Sequence, residues 1–110
     1  MALTQKRLFG PAAAVTTATD TTAGRYLVPS ATTTIVKQII FCNTNTASAT
    51  VSAAIGTTAT AANRIISSLT VEANETVTYN CNIVMNATEK LYLVASATTV
   101  TITVNGIEEA

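Results

Sequence analysis

From Arg25 to Gly106 apolar and polar residues alternate in short runs, and most runs end on residues that turn a chain. Thr34-Ile35-Val36-Lys37-Gln38-Ile39-Ile40-Phe41 and Thr99-Val100-Thr101-Ile102-Thr103-Val104 are rich in β-branched residues, whose stiff side chains favour extended backbone. Arg25 to Val28 reads as a short strand closed by Pro29-Ser30. Thr33 to Asn43 reads as the longest strand, apolar on both faces at Ile35, Val36, Ile39, Ile40 and Phe41, as expected of a central or covered strand. Asn43 to Ser48 is a polar turn, and Val51, Ala53 and Ile55 then share one face of Ala49 to Ile55. Gly56 to Ala62 is a small-residue loop. Arg64 to Val71 is a further strand, although Ile65, Ile66 and Leu69 also fit one helical turn, and Asn63 to Ser68 is where a short turn of helix is expected.

The second half repeats the style. Val77, Tyr79 and Cys81 alternate with Thr76, Thr78 and Asn80 along Glu75 to Cys81. Asn86-Ala87-Thr88-Glu89 forms a turn, after which Leu91, Leu93 and Ala95 share a face. Val100, Ile102 and Val104 face inward, with Thr99, Thr101 and Thr103 outward. About seven or eight strands separated by turn signals predict an all-β fold, a small antiparallel β-sandwich. Jelly-roll and immunoglobulin-like arrangements both satisfy this pattern.

Met1 to Ala23 keeps neither period, and Gly10-Pro11 argues against a continuous regular element. It reads as an extended N-terminal arm over residues 1–23, beside a β-sandwich domain over residues 24–110. Leu3, Leu8, Phe9 and Val15 are the candidate protein-interaction residues, apolar enough to anchor the arm on a neighbouring subunit. On this reading the sandwich folds without the arm. Lys6-Arg7 before Leu8 to Val15 faintly resembles a signal peptide, but Gly10-Pro11 interrupts the apolar stretch and no small-residue cleavage site follows.

Composition narrows the chemistry. The 110 residues form one domain with 48% hydrophobic content, only 11% charged residues, and a formal net charge of +0. Nothing steers such a chain to nucleic acid, whose binding leans on clustered Lys and Arg, and low charge leaves self-association unopposed. No apolar run approaches the roughly 18 residues of a membrane span. With no histidine and two cysteines, no catalytic triad or zinc site is expected, and no cofactor. Cys42 and Cys81 read as reduced, buried thiols rather than a disulfide. Asp20, Glu72, Glu75, Glu89, Glu108 and Glu109 are scattered over the arm, the turns and the chain end, so they read as solvated surface rather than a paired acid and base. Lys37 reads as an outward lysine on an apolar strand. Tyr26, Tyr79 and Tyr92 could in principle build a sugar-stacking platform, but core or rim packing suits them better. No catalytic residue is expected.

Several stretches resemble small virion structural proteins of tailed bacteriophages. They are Tyr26-Leu27-Val28-Pro29, Thr34 to Ile40, Asn43-Thr44-Asn45-Thr46, Ala62-Asn63-Arg64-Ile65, Ala73-Asn74-Glu75-Thr76, Val84-Met85-Asn86-Ala87 and Val104-Asn105-Gly106-Ile107-Glu108. The opening Met1-Ala2-Leu3-Thr4 through Gly10-Pro11 is similar too. The resemblance implies a non-enzymatic particle protein, foremost a homo-oligomeric capsid decoration (cement) subunit. Its partners would be the major capsid protein or neck and tail proteins, on a virion assembled in the bacterial cytoplasm. A neck, tail or fibre component is the alternative, and a carbohydrate-binding module a more distant one.

Overall fold

The β-branched runs become strands, as their stiffness requires. The computed structural model describes residues 3–16, 25–57 and 61–110. Among the described residues eight strands follow in order: β1 Leu3–Ala13, β2 Arg25–Leu27, β3 Thr33–Asn43, β4 Ala49–Gly56, β5 Arg64–Val71, β6 Thr76–Met85, β7 Lys90–Ala95 and β8 Val100–Glu109. The short helical turn is a single 3₁₀ turn over Ala61–Asn63, just before β5 rather than within it.

The strands form two four-stranded sheets, β1-β8-β3-β6 and β2-β7-β4-β5, with every neighbouring pair of strands antiparallel. The pairings β4 with β5, β3 with β6, β2 with β7 and β1 with β8 nest inside one another. That nesting is a long antiparallel ribbon rolled into two layers, the jelly-roll arrangement. An immunoglobulin-like order is excluded. Val36, Ile39, Phe41, Ile102 and Val104 of the first sheet and Val51, Val71, Leu91 and Leu93 of the second are at most 1% exposed. Each such side chain contributes about 1.5–3 kcal/mol by leaving water.

The N-terminal segment is the main departure from expectation. Over Leu3–Ala13 it is a strand of the first sheet, hydrogen-bonded to β8, rather than an arm outside the sandwich. Its pairing shifts register between Arg7 and Phe9 and again between Phe9 and Ala12, which carries the strand through Gly10-Pro11. Gly10 has φ 73°, and a Cβ there would lie 2.1 Å from the Ile102 carbonyl oxygen, so a side chain would force the two strands apart. Pro11 is tolerated because β1 is an edge strand, where a missing N–H can face away from the sheet. Beyond β1 the chain crosses to the second sheet. Ala14 N–H donates to the Val100 carbonyl at 2.8 Å, and the Val15 carbonyl accepts from Ala95 N–H at 3.0 Å. The rest of the expected arm, residues 1–2 and 17–23, lies outside the described residues.

Candidate interaction surfaces

Of the four candidate anchors, three take part in the chain's own fold. Leu8 and Phe9 are half-buried against the core, with Phe9 in register with Val104. Val15 bridges Val94 of β7. Leu3 alone is open, 67% exposed at the start of β1.

Alternation along β8 puts Val100, Ile102, Val104, Gly106 and Glu108 on the inner side. Glu108 therefore points between the sheets, which corrects its reading as solvated chain end. The Tyr26 hydroxyl, from β2 of the opposite sheet, donates to Glu108 Oε2. Thr34 Oγ1 lies 2.9 Å from the same hydroxyl and donates to it in turn. Lys6 Nζ of β1 is 3.1 Å from Glu108 Oε1. Burial pushes the Tyr26 phenol above its usual range, and the facing carboxylate adds to the shift. The Tyr26 hydrogen bond, aided by Lys6, holds the Glu108 carboxyl below its usual value despite its partial burial. This cluster latches the two sheets at one end of β3.

A second clip sits at the other end. Asn43, 1% exposed, donates through Nδ2 to the carbonyls of Ala47 (2.9 Å), Val71 (3.2 Å) and Glu72 (3.3 Å). Its Oδ1 accepts from Asn45 N–H at 3.1 Å. Asn43 ends β3 and Val71 ends β5, so the amide ties one sheet to the other. Its role was not apparent from sequence, because Asn43 opens a polar run that reads as an ordinary turn.

The Tyr26 latch carries a pH signature. A lowered folded-state pKa means that Glu108 stabilises the fold fully above the ordinary carboxylate value of about 4.3, and that this is lost as pH falls through the lowered value. Tyr26→Phe should cost about 1–2 kcal/mol at pH 7. In thermal melts followed from pH 7 to below pH 3, the gap between wild type and variant should narrow as Glu108 protonates. A gap constant with pH would count against the latch.

The outer face of the first sheet is an array of amides, hydroxyls and a few apolar side chains. Asn105 Nδ2 donates to Gln38 Oε1 at 3.1 Å, and Gln38 Nε2 to Asn80 Oδ1 at 3.3 Å, an amide ladder across β8, β3 and β6. Lys37 is exposed at a β3 register shift, as the sequence suggests, and donates to Asn82 Oδ1. An open groove of about 470 Å³ runs past Gln5, Arg7, Lys37, Asn105 and Ile107.

The remaining candidate chemistry is dispersed. Glu75 Oε1 accepts from Glu72 N–H at 3.2 Å, and Glu89 Oε1 from Asn86 N–H at 2.7 Å, so these carboxylates close turns. Among the described residues no group of three or more His, Cys, Asp or Glu could hold a metal. Cys42 and Cys81 are both free. They project to opposite faces of the first sheet, Cys42 in register with outward Thr76 and Cys81 packed toward the core. Burial raises the Cys81 thiol, which donates to the Val36 carbonyl at 3.3 Å. Tyr26 and Tyr92 are buried and Tyr79 half-buried, so the tyrosines build no exposed stacking platform. No family model, no curated protein and no solved structure matches the chain.

Proposed function

We propose that the chain is a non-enzymatic virion structural protein of a tailed bacteriophage, foremost a capsid decoration subunit that stabilises the particle through repeated protein contacts. The observation that carries the reading is where the stretches resembling such proteins fall in three dimensions. Tyr26, Thr34 and Glu108 come from three separate stretches and meet in one latch, and Asn43, from a fourth, is the opposite clip. The resemblance thus follows the joints of the fold rather than isolated turns. Two further features support it. A jelly roll is among the architectures of viral shells, though fold alone does not assign function. The outer face of the first sheet is rich in Thr, Asn and Gln, suited to broad contact with protein rather than to chemistry at a point. Modest contacts of this kind gain strength by repetition around a shell.

Quantitative mass spectrometry of purified particles of the virus encoding this chain tests the proposal. Hundreds of copies per particle are expected of a decoration subunit. A handful to some tens would move the protein to the neck, tail or fibre. Its absence from particles would refute the virion role.

A further inference from the structure

Sheet edges offer unpaired backbone groups, and natural proteins guard them with charge, proline, bulges or short length. Three of the four edges here are guarded. β1 carries two register shifts, Pro11, Lys6 and Arg7; β2 has 3 residues; β5 meets β4 with two register shifts and carries Arg64. β6 is the least defended, with one register shift against β3, between Val36 and Gln38. It is 10 residues long, Thr-Val-Thr-Tyr-Asn-Cys-Asn-Ile-Val-Met, without charge, proline or glycine. Its inward row, Val77, Tyr79, Cys81 and Ile83, packs on the core yet stays only partly buried. Ile65 and Leu69 on the neighbouring edge of the second sheet are partly buried too. Val84, on the outer face of β6, is 59% exposed.

We propose that β6 is a subunit interface, at which the β6 strand of a second copy of this chain pairs antiparallel across a two-fold axis. The proposal deepens the self-association part of the reading above and rests on it. With Asn80 facing its own copy, Tyr79 meets the partner's Cys81 and Val77 meets the partner's Ile83. Thr78 then lies opposite the partner's Asn82. Directly opposed residues in an antiparallel pair share a face, so every half-buried inward side chain gains a half-buried neighbour. Met85, already fully buried, is left out of the pairing. Because β6 carries no charge, the symmetric arrangement sets no like charges against each other on the paired strands. The area also suffices. The nine paired residues, 76–84, at about 3.3 Å each span roughly 30 Å. Against a sandwich about 20 Å thick this gives roughly 1,200 Å² over both copies, at the lower end of the range of stable interfaces.

The test is sedimentation of the full chain at micromolar concentration, with Asn80→Lys and Asn80→Glu made separately and mixed. Asn80 is exposed, so both variants should keep the wild-type β-rich circular dichroism spectrum. Wild type is expected to sediment as a dimer. Each variant alone should be monomeric, with dissociation raised on the order of a hundredfold by like charges on the axis. An equimolar mixture should restore the dimer as a one-to-one heterodimer, which requires residue 80 to face residue 80. Thr78→Lys, opposite a neutral Asn82, should weaken the dimer less. A wild-type oligomer unaffected by either Asn80 variant would overturn the β6 interface while leaving self-association standing. A wild-type monomer even at millimolar concentration would overturn both.

Discussion

Phe41→Ala should cost about 3–5 kcal/mol, a large share of the stability of a domain this size. Phe41 is 0% exposed and sits in mid-sheet, in register with Ile102 of β8 on one side and Val77 of β6 on the other. Its ring fills space between the layers where the surrounding core is largely Val, Ile, Leu and Ala. The cost depends on how far the layers can collapse into the cavity. They are held at both ends of β3, by Tyr26 with Glu108 and by Asn43, so collapse is limited. Chemical denaturation should show an unchanged slope and a much lower midpoint. A loss under about 1 kcal/mol would mean that the layers close readily and that the clips do not set their spacing.

Asn43→Ala should cost about 2–3 kcal/mol, although it removes only a small polar side chain. The penalty comes from what remains: the buried Val71 carbonyl loses a donor from Asn43 Nδ2, and Asn45 N–H loses its acceptor. Asn43→Asp distinguishes this account from simple loss of volume. Aspartate keeps the shape but replaces the donating amide with an anion facing the Ala47, Val71 and Glu72 carbonyls, so it should destabilise at least as much as alanine at pH 7. If Asn43→Asp is near neutral in thermal melts, the amide is not what joins the sheets.

Strands rich in β-branched residues and bounded by turn signals were legible in the sequence to the residue: Thr33–Asn43 and Arg64–Val71 stand as read. β6 and β8 run further than read, to Met85 and Glu109, because Asn82, Gly106 and Glu108 look like turn residues when only hydropathy is followed. Continuing the alternation of β8 for two more steps would have placed Glu108 inward and found the latch. β1 was illegible for a different reason. Its register shifts bring consecutive Leu8 and Phe9 both against the core, which erases the two-residue period, and Gly10-Pro11 reads as a break when only an edge strand could absorb it. Tyr26 and Asn43 were hidden by ordinary composition. Their significance lies in partners 82 and 28 residues away in sequence, which local pattern cannot supply.

The nested order of strand pairs also sets a timetable. β4 and β5 close the shortest loop, β3 and β6 the next, then β2 and β7, while β1 waits for a partner almost a full chain length away. On a ribosome the middle of the ribbon can zip while the rest is still being made, but β8 leaves the tunnel last of the eight and belongs between β1 and β3. Until Val100 to Glu109 emerges, both of those strands present bare edges to every other nascent chain nearby. The growing polypeptide is thus exposed to mispairing for nearly the whole of its synthesis, and its first sheet closes in one late event.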